Sequence, residues 1–526
     1  MKTTPTTANH RTEHHQLPDQ KGFLKNTASK RLLAINAAFA TLYFFVITFA
    51  FKHGNPYLFG LLIAGEVFHL FQIVGYCYTV WGSKITAPFN RNFKEPVDVF
   101  ITICGEPEDI VRETVIAAKA MVYPNFQIYL LNDGFVAKKD NWQEIEQLAA
   151  DLGVHCITRR KPGGAKAGNI NNGLARTSSE YFVVFDADHV PHANFLQEVM
   201  GFFIDPKMGF VQTPQFYKNQ NTNAITKIAW QQQTLFFGPI MTGKNRLNSA
   251  FMCGTNMAIR RSAIIEAGGM CEFNIAEDFL TSLFIHEKGW NSVYLPKVLA
   301  EGLAPEDFLS YYKQQFRWTR GSLEVIFKFN PLFRKGLAFG QRLQYLISAS
   351  YYLSGLIVLI DALLPLIFLF TGITAIVTST MTLAAIFIPY MFINLYTLQR
   401  TSNFTYSFNA IAFSLSSFIL QINAVIAVLT NQKTSFAVTS KSQIQGNFLK
   451  MVIPQIAYIL LTVIGLFVGL QREGISASLL ANVSWALVNV AVFIPFIIAA
   501  APKKAEERVI TTAPLLSPAA QPESVK

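Results

Sequence analysis

The sequence predicts an α/β domain with a mostly parallel sheet, inserted between α-helical transmembrane segments. Three observations carry this. Two long apolar runs lie near the start and five towards the end, each long enough to span a bilayer, since about 20 helical residues cross its hydrocarbon core. The stretch between them is ordinary globular sequence of mixed charge. Within it, short β-rich runs alternate with helical ones, the pattern of a parallel sheet with helices on both faces. Composition agrees: 51% of residues are apolar and 15% charged, against about a quarter charged in soluble domains.

In chain order, residues 1–31 form a polar tail in which no cleavable signal is expected. Two transmembrane helices fill 32–81, from the runs Leu32–Phe51 and Tyr57–Trp81, joined by a Lys52–Pro56 turn. A cytosolic domain follows at 82–342. Two further transmembrane helices fill 343–398, from the runs Leu343–Phe370 and Ile373–Leu398. An interfacial helix and a loop occupy 399–446. Two last transmembrane helices fill 447–501, and 502–526 is a tail. The net charge of +11 is spread over ends and loops rather than striped, which argues for positive-inside topology and anionic lipid rather than nucleic acid. The five cysteines form no CxxC pair and read as buried thiols in a reducing compartment.

Lys21, Lys25, Lys30 and Arg31 precede the first run, and Lys503, Lys504 and Arg508 follow the last. Both termini and the domain are therefore expected in the cytoplasm of an integral plasma- or inner-membrane protein. That requires an even number of crossings, while the apolar runs number seven. Phe404–Leu429 is the one expected to lie along the surface. It carries Ser407, Asn409, Ser414, Ser416, Ser417, Gln421 and Asn423, and an amphipathic helix suits an interface.

The acidic residues fall at predicted strand ends, where α/β sheets bind ligands. Val97–Ile103 reads as a strand and Glu108–Met121 as a helix. The strand Phe126–Leu131 ends in Asn132-Asp133-Gly134. The strand Tyr181–Phe185 ends in Asp186-Ala187-Asp188. Carboxylates at i and i+2 on a strand end can share a hard divalent cation and a diphosphate. Glu277-Asp278 opens a helical segment. Gln314-Gln315-Phe316-Arg317-Trp318 is a QxxRW sequence. On a helix, Gln314, Arg317 and Trp318 share a face that offers an amide, a guanidinium suited to phosphate and a flat ring able to stack on a sugar.

In this order, the D, DxD, ED and QxxRW sites resemble those of processive family 2 glycosyltransferases of the cellulose synthase type. Asp186-Ala-Asp-His-Val-Pro191 matches their DADHVP, Lys166-Ala-Gly-Asn169 their KAGN loop, and Val211-Gln-Thr-Pro-Gln215 their VQTP strand. Gly254-Thr255-Asn256 lies where they carry an acceptor loop. Phe436-Ala-Val438-Thr439-Ser-Lys441 fits their FxVTxK gating loop. TYNE becomes Ile103-Cys104-Gly105-Glu106 here, and TED becomes Ala276-Glu277-Asp278. The tail leaves no room for the PilZ domain of many bacterial members, so direct cyclic di-GMP binding is not expected.

The resemblance implies a GT-A-type domain. It implies inverting transfer of glucose from UDP-glucose to a β-1,4-linked, cellulose-like glucan, and passage of that polymer across the membrane. Glu106, Asp133, Lys166, Asp186, Asp188, Gln314 and Arg317 would bind the nucleotide sugar. Asp186 and Asp188 would also hold Mg²⁺ or Mn²⁺. Asp278, beside Glu277, would be the general base. Trp318, Gly254 and Thr255 would meet the acceptor. Expected partners are the UDP-sugar, the polysaccharide, the bilayer and an accessory or export protein. Curdlan, mixed-linkage glucan, chitin and hyaluronan synthases share the pattern. A non-catalytic membrane scaffold or transporter is the reading from a different class.

Overall fold

The computed structural model of the protein describes residues 28–432 and 444–502. Helix α1 (Lys30–Phe45, continued by a π turn over Val46–Ala50) packs on α2 (Pro56–Thr79). Asn55 starts α2 by accepting from the N–H groups of Tyr57 and Leu58, with proline at the first position, where no donor is needed.

The domain then alternates β1 (Val97–Ile103), α3 (Glu108–Lys119), β2 (Phe126–Asn132), α4 (Trp142–Asp151), β3 (His155–Thr158), α5 (Ala165–Leu174) and β4 (Tyr181–Asp186). It closes with β5 (Met208–Gln212), α6 (Ala224–Leu235), β6 (Met257–Arg260), α7 (Glu277–Glu287) and β7 (Asn291–Tyr294). The seven strands lie in the order β7-β5-β6-β4-β1-β2-β3. All neighbours are parallel except β6, which is antiparallel to β4 and β5. Every residue of β1 is buried, as expected of a central strand covered on both faces. Val99 and Ile101 pack with Val111 and Val115 on one side, and Phe100 packs with Ile170 and Phe182 on the other.

After the sheet come α8 (Phe308–Phe329), α9 (Phe339–Ser350), α10 (Ser354–Thr371), α11 (Thr380–Thr401), α12 (Phe408–Ser416), α13 (Phe418–Leu429), α14 (Ile453–Glu473) and α15 (Ala477–Ala500). The described residues hold seven helical stretches long and apolar enough to cross a membrane. Two features depart from the sequence reading. The run expected from Leu343 begins at Phe339, and α9 buries Gln341, Gln344 and Tyr345 against the domain before the chain turns at Tyr351–Leu353 into α10. The Phe404–Leu429 run breaks at Ser417 into α12 and α13.

Three helical hairpins touch at one end. Lys52 and His53, between α1 and α2, pair with Val377 and Ile376, between α10 and α11. Arg472 at the end of α14 donates to the carbonyls of Phe368 and Leu369 at 2.9 and 3.1 Å, and Thr380 donates to Ala477 at 3.1 Å. These three turns therefore share one face.

Candidate active site

The parallel register aligns the carboxyl ends of the central strands. Thr102 pairs with Asp186, Ile103 with Asn132 and Asn132 with Thr158. A cavity of about 340 Å³ opens beyond them. Glu106, Asp133, Lys166, Asp186, Asp188, Gly254, Glu277, Asp278, Gln314, Arg317 and Trp318 all line it. Residues far apart in sequence thus meet in one cleft because β1, β2 and β4 end together and α7 and α8 close the other side.

Asp133 follows β2 and forms a bidentate ion pair with Arg159, with Nε–Oδ1 at 2.7 Å and Nη2–Oδ2 at 2.6 Å. Both side chains are 8% exposed. Arg159 follows β3 and was not singled out from the sequence; its only signal there is a cation just past a short β-rich run. Glu106 accepts from the Cys104 N–H at 2.5 Å, which tightens the turn after β1.

The KAGN segment, expected as a loop, is the first turn of helix α5. Lys166 therefore projects from a rigid element. Its ammonium pairs with Asp186 Oδ1 and donates to the Gly254 carbonyl at 2.6 Å. Asp186 also accepts from Thr102 Oγ1 at 3.1 Å. Burial alone would raise the Asp186 carboxyl, but the charges of Lys166 and His189 outweigh it and hold the group below its ordinary value.

Thr255 needs correcting. It is fully buried and absent from the cavity wall. Its hydroxyl accepts from the Asp186 N–H at 2.9 Å and reaches Asn256 Oδ1 at 3.1 Å. It props the end of β4 and does not line the cavity. Gly254 does face the cavity, with φ +83°, and a Cβ there would stand 3.2 Å from Asp278 Oδ2.

Asp186, Asp188 and His189 bring one donor atom each to within 4.8 Å of one another. His189 Nδ1 lies 3.4 Å from Asp188 Oδ1. The ring is buried, and among the described residues neither ring nitrogen has a hydrogen-bond partner, which is costly for a polar group left so. Gly302 makes room for it, since a Cβ there would come 2.4 Å from Nε2. Two carboxylate oxygens and an unsatisfied imidazole nitrogen suit a divalent cation. His189 was quoted from the sequence within DADHVP but given no role.

Glu277 and Asp278 sit in the first turn of α7. Burial pushes both carboxyl groups up, while Lys166 and Arg317 oppose it. Asp278 Oδ1 accepts from the Phe279 N–H at 2.7 Å. On α8, Gln314, Arg317 and Trp318 face the cavity together. Gly321, one turn further, lets the helix touch the strand of chain entering α7: a Cβ at 321 would lie 2.4 Å from Ala276 Cβ and 2.7 Å from its nitrogen. Tyr217, also missed in the sequence, lines the cavity and accepts from Gln233 at 3.3 Å.

Phe436, Val438, Thr439 and Lys441 lie outside the described residues. The residues flanking that segment are both tied to α8 or its cap. Arg320 donates to the Gln432 carbonyl, and the Ile444 N–H donates to Asp307 Oδ2 at 3.2 Å. Gln314, Arg317 and Trp318 stand between those two anchors along the helix.

A nucleotide-binding-type sheet with this acidic, metal-ready cleft at its carboxyl edge is a GT-A glycosyltransferase fold. Its likeness to the mannosyltransferase PcManGT of Pyrobaculum calidifontis, solved with GDP-Man and Mn²⁺, is one of fold: TM-score 0.51 and 15% identity, covering 72% of this chain and 100% of that one. Residues 95–321 match the family model for glycosyltransferase like family 2, and residues 268–501 that for cellulose synthase. The chain is 31% identical over 450 residues to a cellulose synthase catalytic subunit (UDP-forming) of Pseudomonas fluorescens strain SBW25, covering 81% of this chain and 60% of that one. It is 32% identical over 394 residues to cellulose synthase 2 of Novacetimonas hansenii, covering 72% and 24%. The chain thus spans 60% or less of the length of these two relatives. Over residues 95–501 it is thus similar to the cellulose synthases among the family 2 glycosyltransferases.

Proposed function

We propose that this protein is a processive, inverting glycosyltransferase that adds glucose from UDP-glucose to the end of a β-1,4-glucan and passes the polymer through its own helices. The observation that carries this reading is the convergence of Asp133, Lys166, the Asp186–Asp188–His189 group, Asp278 and the QxxRW face on one cavity.

Glu106 and Asp133, just past the ends of β1 and β2, and Lys166, on the first turn of α5, hold the nucleotide. Asp186 and Asp188, with His189, are the residues that would hold Mg²⁺ or Mn²⁺, and their donor set fits such an ion. When bound, the cation supplies positive charge against the diphosphate. Arg317 adds a second positive charge as the bond from the sugar to UDP breaks. Asp278 takes the proton of the acceptor hydroxyl while its oxygen forms the new bond on the opposite face. One displacement inverts the anomeric centre, so no protein nucleophile is needed. Trp318 stacks on the terminal acceptor sugar, and Gly254 leaves that side of Asp278 open.

The same reading places the domain and both termini in the cytoplasm and makes six of the seven stretches cross. Two observations support α12–α13 as the stretch that does not. It is 61% buried within the protein, against 11–33% for the others, and α13 packs on α8 through Leu323, Ala424, Val425 and Val428. The remaining helices form three hairpins whose turns share one face, as three pairs of crossings would. The FxVTxK segment then stays on the nucleotide's side.

The test is a proteoliposome assay of the purified chain with UDP-glucose and competing UDP-sugars, followed by linkage analysis of the product. UDP release with UDP-glucose and a β-1,4-linked polymer is expected. Turnover of UDP-N-acetylglucosamine alone, or another linkage, would overturn the substrate assignment. Absence of UDP release from any donor would favour the scaffold reading.

A further inference from the structure

Away from the catalytic cleft, three ionisable groups meet where the helices are most apolar. Glu66 and His69 stand one turn apart on α2, and Asp361 stands on α10. At 1.5 Å per residue, Glu66 is roughly 15 Å from the start of α2, His69 roughly 15 Å from its end, and Asp361 roughly 10 and 15 Å from the ends of α10. His69 bridges the two carboxylates: Nδ1 lies 3.9 Å from Glu66 Oε2, and Nε2 lies 3.5 Å from Asp361 Oδ2. The Glu66 side chain is 11% exposed and lies behind His69 and Asp361, at 36% and 38%. Tyr43 of α1 donates to Glu66 Oε1 at 3.3 Å, and Tyr390 of α11 stacks on Tyr43 at 4.1 Å.

Among the described residues the packed neighbours bring no cation to this cluster: on α1, Lys30 and Arg31 stand at its first turn, about 18 Å along the helix from Tyr43. Helices α13 and α15 carry no ionisable side chain. On α14, Arg472 is held at the far end by the Phe368 and Leu369 carbonyls, and Tyr458 accepts from Asn489. On α9, Tyr345 faces His286, and Arg342 is bonded to the carbonyls of Leu337 and Leu332. With a neutral imidazole, the cluster would put two uncompensated carboxylates at the centre of the bilayer, where each is expensive. A proton on His69 pairs with both at once.

We propose that Glu66, His69 and Asp361 form a proton-binding site at the membrane midplane. A protonated His69 clasps the helix that leads into the catalytic domain to the helix that leads out of it. The proton comes from water reaching the half-exposed faces of His69 and Asp361. The proposal rests on α2 and α10 as crossing helices, not on the sugar chemistry.

Charge compensation makes an outcome that simple packing does not. His69→Gln leaves two bare carboxylates; adding Asp361→Asn removes one of them. The thermal unfolding midpoint of the full chain in proteoliposomes is followed from about pH 5 to 9, the span around the imidazole titration. His69→Gln is expected to lower the midpoint by about 5 °C or more. The double variant is expected to regain most of that loss. The wild-type midpoint should fall as pH rises through the imidazole range, with a slope the double variant lacks. Additive losses, or one slope for wild type and double variant, would overturn the proposal. So would a midpoint that follows the exchange of Na⁺ for K⁺ at constant ionic strength rather than pH. If His69→Gln does not accumulate in the membrane, recovery of yield by Asp361→Asn replaces the midpoint, and no recovery counts against the site. Because catalysis is not read, failure of the glycosyltransfer assignment would leave these results standing.

Discussion

Asp278 works among charges that pull in opposite directions. Burial raises its carboxyl, and the Phe279 N–H, Lys166 and Arg317 draw it back only in part. As the proposed general base it must be ionised, so raising its pKa moves the acid limb of activity upward. Turnover is expected to fall as pH drops through about 6, well above the ordinary aspartate value of about 3.9; a pH profile of polymer synthesis reads this directly. Asp278→Asn keeps size and hydrogen bonding but cannot accept the proton. It should lower synthesis by at least about 10²-fold while calorimetry still detects UDP binding, and wild-type synthesis would remove Asp278 from the role. Arg159 acts differently, by holding Asp133. Arg159→Met strands a buried carboxylate and is expected to cost about 3–5 kcal/mol of stability. Asp133→Leu in the same chain should recover part of that loss in a thermal unfolding cycle, at the expense of donor affinity.

Helix α8 turns these residues into a site. It is capped by Asp307, which accepts from the Ser310 N–H at 2.8 Å, and it presents Gln314, Arg317 and Trp318 to the cavity from one face. Its apolar contacts through Tyr311 and Leu323 lie in two separate clusters. Gly321 decides how closely α8 meets the start of α7. Gly321→Ala would press a methyl group into the Ala276 backbone and push Asp278 away from Arg317. A misplacement on the order of 1 Å can cost about 10²-fold in rate. Synthesis by this variant is therefore expected to fall about 10- to 100-fold with UDP affinity little changed; unaltered synthesis would show that the approach of the two helices is not limiting.

At the scale of the molecule, the arrangement of hairpins makes a statement about sides. Lys30 and Arg31 open α1, and the turns at Lys52–His53, Ile376–Val377 and Arg472–Ala477 gather at the other end of the helices. Positive residues favour the cytoplasm, so the proposed topology puts the turns on the far side and α12–α13 on the near one. A cysteine placed by Thr434→Cys in a cysteine-free chain tests this. In intact cells it should resist a membrane-impermeant thiol reagent applied from outside. Labelling would overturn both the six-crossing topology and the gating role of Phe436, Val438, Thr439 and Lys441.

The sequence by itself determined the elements and most of the chemistry. Val97–Ile103 is a strand with the predicted bounds, Asp186 and Asp188 end β4 as read, and Gln314, Arg317 and Trp318 do share a helical face, because apolar period and turn chemistry are local properties. The tertiary structure alone decided what those elements touch. Arg159 becomes part of the site only because β3 lies beside β2, and Thr255 is kept off the cavity wall because its hydroxyl is seated on the Asp186 N–H at the end of β4. The KAGN segment was matched to a loop by resemblance alone, yet α5 packs Ala167 and Ile170 into the core and makes it helical. The polar residues of Phe404–Leu429 pointed to an interfacial helix, but only the fold shows that α13 lies against α8 through Ala424, Val425 and Val428. Burial depends on what lies across the gap, and a one-dimensional pattern records which residues can be buried but not against what.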